Sequence, residues 1–159
     1  MSEYAFVTRW RLDAPIDRVW DAIHAVEEWP QWWPYVQSVT LLRSGDAIGV
    51  GAVRRYVWTS RLPYKLAFDM ETMLVERPTR LEGVARGELD GQGVWTLTPD
   101  GSATRVRYDW KVRTSKRWMN LVAPIARPFF NWNHDSVMRA GGEGLARWLK
   151  TDLVSASRP

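Results

Sequence analysis

The sequence predicts an α+β domain in which a curved antiparallel sheet of about seven strands wraps around a long C-terminal helix, with short helices after the first strand. Three observations predict it. Runs of alternating apolar and polar residues recur from residue 3 to residue 113, divided by Gly, Pro and Asp turn signals. Two Asp-Gly pairs, Asp90-Gly91 and Asp100-Gly101, fall between such runs and signal hairpins. After Thr114 the apolar spacing changes from a period of two to a helical one.

The elements follow in order. In residues 3–12 Tyr4, Phe6, Thr8, Trp10 and Leu12 share one strand face, opposite Ala5, Val7, Arg9 and Arg11. Asp13-Ala14-Pro15 supplies a cap candidate and a proline suited to a first helical turn. Ile16, Val19, Trp20 and Ile23 then mark a short amphipathic helix. The prolines of Trp29-Pro30-Gln31-Trp32-Trp33-Pro34 make that segment a tight aromatic connection. Strands are expected over Tyr35–Arg43, Gly51–Ser60, Tyr64–Glu76, Arg80–Leu89 and Gln92–Thr98. A further strand follows with the cleanest alternation: Thr104, Val106, Tyr108, Trp110 and Val112 against Arg105, Arg107, Asp109, Lys111 and Arg113. A helix is expected over Lys116–Ala126, broken or kinked at Pro124 and Pro128, and then one long helix from about Phe129 to Lys150. Its apolar stripe holds Phe130, His134, Val137, Gly141, Leu145 and Trp148.

The 159 residues suffice for one domain, read as 1–152, with 153–159 as a flexible tail. The absence of cysteine excludes disulfides, thiolate metal sites and cysteine nucleophiles. No signal peptide is visible and no apolar run nears the roughly 20 residues that span a bilayer, so stable membrane insertion is not expected and a cytoplasmic location is. The net charge of +4 invites a nucleic-acid partner, but the basic residues are dispersed along strands, which favours a solvated outer sheet face. The sequence sets no oligomeric state.

Eleven tryptophans need a wide interior or broad aromatic surfaces. Opposite them stand small residues: Gly83, Ala85 and Gly87 in one strand, Gly141 and Gly142 in the final helix. Glycine inside a helix costs roughly 1 kcal/mol against alanine, so something offsets it. One explanation is close helix–sheet packing. The other is a cavity bounded by small residues and held open by large aromatics, which fits an apolar small-molecule site of roughly 300–1,000 Å³. Its expected lining is Trp10, Tyr56, Phe68, Met70, Trp95, Tyr108, Trp110, Phe130, Val137 and Gly141.

The pattern resembles the START-like, helix-grip superfamily of polyketide cyclases/dehydrases and lipid-transfer proteins. The matching pieces are Leu12-Asp13-Ala14-Pro15 with Val19-Trp20-Asp21, the Trp29–Pro34 link, Gly93-Val94-Trp95-Thr96-Leu97-Thr98-Pro99, Thr104-Arg105-Val106, and Gly144-Leu145 in the last helix. Together they span about residues 3–150. The resemblance implies a deep cavity between sheet and helix and a lipid, sterol, polyketide or other aromatic ligand. It leaves carrier and cyclase both open.

Cyclisation of a poly-carbonyl chain needs a proton acceptor and hydrogen bonds to carbonyls that become enolates. His134 is the candidate base, because it lies in the apolar stripe; the alternative is a ring held by a polar neighbour such as Asn133 or Tyr108, or sited at the pocket mouth. Tyr108 or Arg54 would polarise a carbonyl, Arg54 only if the parity of Arg54, Tyr56 and Trp58 faces inward rather than that of Val53 and Val57. Asp69 and Glu71 share an outward parity. Two histidines without ligand spacing argue against a metal, and no phosphate loop or nucleophile elbow is present, so no cofactor is expected. The Trp29–Trp33 segment is expected to cover the pocket edge, the competing role being a membrane or partner patch.

Overall fold

The computed structural model describes residues 3–157. Strand β1 (Glu3–Leu12) leads into helix α1 (Ile16–His24), a 3-10 turn (Val26–Glu28) and the one-turn helix α2 (Trp29–Trp32). Six strands follow: β2 (Val36–Arg43), β3 (Val53–Trp58), β4 (Leu66–Glu76), β5 (Arg80–Gly87), β6 (Leu89–Asp100) and β7 (Ala103–Thr114). Helix α3 (Arg117–Trp148) and strand β8 (Leu153–Ser157) complete the order. The sheet runs β2-β3-β4-β5-β6-β7-β1-β8 with every neighbouring pair antiparallel. The curved antiparallel sheet and long C-terminal helix match the expected class.

Alternation decides the faces. In β7 Val106, Trp110, Val112 and Thr114 are buried while Arg105, Arg107, Lys111 and Arg113 are exposed. The outer face is laced with ion pairs: Asp100 with Arg11 and Arg105, Arg55 with Asp69, Arg107 with Asp109. Such exposed pairs each contribute little to stability, so what holds the domain together lies on the inner face.

Four local expectations are corrected. Pro124 and Pro128 do not divide the C-terminal region, because α3 is one helix of 32 residues. Both prolines lie four residues apart on its exposed side, where water can serve the carbonyls they leave unbonded. The Asp90-Gly91 pair is not the hairpin turn. The chain reverses three residues earlier, at Gly87 with φ +122° and Glu88, and Asp90 Oδ1 accepts a hydrogen bond from the Gly87 N–H. Asp13 does not cap α1; Pro15 occupies the cap position, its carbonyl accepting from the N–H groups of Arg18 and Val19. The segment expected as a tail supplies β8, which pairs with β1 from Arg9 to Leu12. The Thr151 hydroxyl donates to the Asp13 carbonyl and the Asp13 N–H to the Asp152 carbonyl, which directs the chain back to that edge. Residues 158 and 159 lie outside the described residues.

The C-terminal half of α3 settles which explanation holds for its glycines. A methyl group at Gly141 would overlap the Trp33 indole, and one at Gly142 would fall 2.9 Å from Trp10 Nε1. At Gly144 it would meet the Trp32 carbonyl oxygen. These glycines admit α2 and two indoles against the helix backbone. They bound no cavity.

Candidate functional site

The N-terminal half of the α3 stripe is different. Around Phe130, His134, Val137 and Met138 the helix stands off the sheet and leaves a cavity of about 140 Å³. Its sheet wall is formed by Tyr4, Phe6, Tyr56, Trp58, Phe68, Met70, Trp95, Tyr108 and Trp110, all on inward parities. Trp29 and Trp33 close the end toward α2. The parity question in β3 is thereby answered: Tyr56 and Trp58 point inward. The volume is smaller than an ordinary ligand pocket and close to the roughly 150 Å³ that accepts a benzene ring.

Of the residues expected to line the site, Tyr56, Phe68, Met70, Trp95, Tyr108, Trp110, Phe130 and Val137 border this cavity, as does His134. Three do not. Trp10 is buried in solid core, its ring 5.6 Å from those of Trp33 and Trp95. Gly141 is covered by Trp33, whose Nε1 donates to the Val137 carbonyl at 2.8 Å. Arg54 lies beyond the cavity, its Nε 2.6 Å from Glu27 Oε1. Trp148, expected in the apolar stripe, is 40% exposed at the end of the helix.

Arg54 borders a second cavity of about 380 Å³, lined also by His24, Leu41, Thr72, Leu81 and the β2–β3 loop from Ser44 to Gly49. Trp29, Tyr56, Met70, Trp95 and Tyr108 border both spaces and form the partition between them. Asp46 shapes the loop by accepting from the N–H groups of Ile48 and Val50 at 3.0 Å, while Gly49 at φ +96° turns the chain beside His24. Burial, then the Arg54 guanidinium, holds the His24 imidazole below its ordinary 6.5. The unfolded chain therefore takes up this proton first as pH falls, and stability declines from about pH 6.5 downward until the folded protein is protonated too. A His24→Gln variant is expected to show a smaller loss of urea midpoint between about pH 7.5 and 5.5 than the native protein.

The polar groups of the smaller cavity gather at the β1 and β3–β4 side. Burial raises the Tyr4 hydroxyl above the usual phenol range, with Arg127 opposing, and raises Tyr64, with Tyr4 reinforcing and the Asn133 side chain opposing. Of the residues bordering this cavity, Tyr4, Trp58 and Asn133 carry buried polar atoms (Oη, Nε1 and Oδ1) without a protein hydrogen-bond partner among the described residues, as do Trp10 and Trp32 at Nε1 in the core beyond it. Burial, reinforced by Tyr56, pushes Tyr108 well above the phenol range, and its ring stacks on Trp95 at 4.1 Å. It stays protonated at neutral pH and can only donate to a carbonyl, not abstract a proton. The His134 ring stacks on Phe6 at 3.8 Å, with the Asp135 carboxylate 3.8 Å from Nδ1. Among the described residues no group of three or more His, Asp or Glu is placed to hold a metal ion.

Sequence reasoning overlooked Tyr4, Trp58, Tyr64 and Asn133. Tyr4 was legible as an inward parity, whereas the parity holding Trp58 was left open. Tyr64 was placed at the start of an expected strand, on the parity of Phe68 and Met70, but β4 begins only at Leu66 and Tyr64 lies in the β3–β4 connection.

Comparison with known proteins adds the family. The model of polyketide cyclase / dehydrase and lipid transport proteins matches residues 5–150, nearly the whole cavity-forming unit. The chain belongs to that family. No curated protein matches it in sequence. The Zhui aromatase/cyclase of a Streptomyces species superposes with a TM-score of 0.75 at 14% identity, covering 94% of each chain. A START superfamily protein from Mycobacterium smegmatis gives 0.75 at 11%, over 92% of this chain and 97% of the other. A protein from Thermus thermophilus gives 0.71 at 17%, over 91% and 98%. At these identities the likeness is one of fold, and this polyketide cyclase/dehydrase and lipid transport family member shares the helix-grip architecture with all three.

Proposed function

We propose that the protein binds an apolar aromatic small molecule bearing a hydroxyl or carbonyl group, in the cavity beneath the N-terminal half of α3. One observation carries the proposal: three residues that border the aromatic-walled cavity, Tyr4, Trp58 and Asn133, each hold a buried polar atom that finds no protein partner among the described residues. Leaving such groups unpaired costs about 1–3 kcal/mol each, so a guest that pairs with them is favoured over one that does not. Trp58 Nε1 donates, Asn133 Oδ1 accepts, and Tyr4 does either. A single ring matches the present volume. A longer lipid or polyketide would displace the Tyr56, Met70 and Tyr108 side chains and run into the second cavity, which brings the space into the ordinary ligand range.

Calorimetric titration with p-cresol, 2-naphthol and a fatty acid tests this. Saturable binding of at least one is expected, with p-cresol favoured over toluene. Val137→Trp, which places an indole in the cavity, is expected to weaken binding at least tenfold while Tm holds. If none of the three binds, or if Val137→Trp binds as the native protein does, the proposal fails.

A second reading is favoured by His134 and Tyr108 bordering one cavity. On this reading the protein is an aromatic polyketide cyclase/dehydrase, with Tyr108 donating to a carbonyl that becomes an enolate and His134 taking the proton from the adjacent carbon. Arg54 plays no part in it. Tyr108→Phe and His134→Gln would then each lower turnover of a poly-β-ketone thioester by about 10²–10⁴-fold. A native protein that binds the thioester and returns it unchanged is a carrier.

A further inference from the structure

The first turns of α3 carry a second apolar stripe, directed away from the sheet. Trp118, Leu121, Val122, Ile125, Phe129 and Trp132 are all exposed, Leu121 and Ile125 by 83% and 84%. At about 100° per residue the six fall within an arc of about 100°, and at 1.5 Å per residue the stripe is about 21 Å long. A helix that buries Met119, Ala123 and Phe130 on one side has no folding reason to present a continuous apolar ridge to water on the next.

The ridge is flanked mainly by basic residues, with Asp135 just past its C-terminal end. Arg117 lies on the helix, and Arg61 and Lys65 lie in the β3–β4 connection beside it; Arg127 is turned to the opposite side, over Tyr4 and the Glu3 carbonyl. The Arg61 guanidinium sits 5.5 Å above the Trp132 ring, and Tyr64 packs edge-on against Trp118 at 5.2 Å. Neither residues 117–134 nor residues 59–65 contain an Asp or Glu.

We propose that this face docks the protein peripherally on an anionic lipid bilayer. Leu121 and Ile125 enter the acyl boundary, Phe129 and the two indoles lie at headgroup depth, and the basic rim meets lipid phosphates. Among the described residues no helix is long and apolar enough to cross a membrane, so the attachment is to a surface. A second copy of this chain suits the face poorly, since it would bring the same basic rims together in a protein of net charge +4. Docking does not depend on what the cavity holds. Trp118 also packs on Phe130, which together with Tyr64 borders the cavity, so the docked face adjoins the cavity wall.

Co-sedimentation with vesicles of phosphatidylcholine alone, and of phosphatidylcholine mixed with phosphatidylglycerol, tests the proposal. Partition onto the mixed vesicles is expected, weakened by salt, with little onto the neutral ones. The double variant Leu121→Ser/Ile125→Ser, both largely in water and checked for native circular dichroism, is expected to bind roughly tenfold or more weakly. Quenching of native tryptophan fluorescence by brominated phosphatidylglycerol-containing vesicles should fall in Trp118→Phe/Trp132→Phe, a milder pair that preserves the fold. Absence of partition onto the mixed vesicles overturns the proposal, as does partition unchanged in the serine variant. Concentration-dependent dimerisation abolished by the serine pair, without vesicle binding, assigns the face to a second copy and also overturns it.

Discussion

Gly144→Ala is expected to destabilise the protein by about 2 kcal/mol, against the roughly 1 kcal/mol gain that alanine brings inside an unconstrained helix. The sign reverses because of what the methyl group meets. Its ideal position overlaps the Trp32 carbonyl oxygen, a backbone atom of α2 that no rotamer change can remove. Relief requires α2 to move, and α2 is held by Trp29, whose Nε1 donates to the Ile23 carbonyl, and by the buried Trp32 and Trp33 side chains. Overpacking of this kind costs about 1–3 kcal/mol, more where backbone is involved. Urea unfolding would give the difference, and a more stable alanine variant would show that α2 and α3 do not approach as closely as described.

Trp33→Ala is expected to cost more, about 3–5 kcal/mol. The side chain is 1% exposed, its ring lies within 5.0–6.4 Å of those of Trp10, Trp29, Trp32, Trp58 and Trp95, and its N–H bonds the Val137 carbonyl. Trp33 also divides solid core from cavity, since Gly141 receives it from one side and the cavity meets it from the other. Its removal should therefore do two things at once. It lowers the unfolding free energy, and it enlarges the cavity, so that the ratio of 2-naphthol to p-cresol affinity rises in whatever fraction remains folded. Trp33→Phe, which keeps an aromatic ring and loses the hydrogen bond, should cost about 1–3 kcal/mol. A loss in Trp33→Ala no larger than in Trp33→Phe would contradict the packing described.

The fold was legible because β-strand parity and helical spacing are local signals, and here they agree with the burial that results. In β7 Arg105, Arg107, Asp109, Lys111 and Arg113 all face out, Asp109 half-buried beneath its ion pair with Arg107. The errors fell where tertiary context overrides local preference. Pro124 and Pro128 are helix breakers by propensity, yet stand on the exposed side of α3 where their missing donors cost little. Asp90-Gly91 is a strong turn dipeptide, but Gly91 is needed inside β6, where a Cβ would run into the backbone of Lys111 and Val112. The site was legible in part, since inward residues of β4, β6 and β7 are fixed by parity, whereas both parities of β3 carry apolar residues and left its inward face open. Gly141 could not be assigned to packing or cavity from the sequence, because that depends on where Trp33, more than a hundred residues earlier, places its indole. Trp10 failed for the same reason: its parity is inward, but the indoles of Trp33 and Trp95 and the backbone at Gly142 fill the space around it.

A crystal of the native protein grown with p-cresol tests the account most directly. Density for the ring between Phe68, Trp110, Phe130 and Val137, with its hydroxyl directed to Asn133 or Tyr4, is the expected result. Side chains from the two walls found in mutual contact there, with p-cresol absent or bound only on the outer surface, would contradict it.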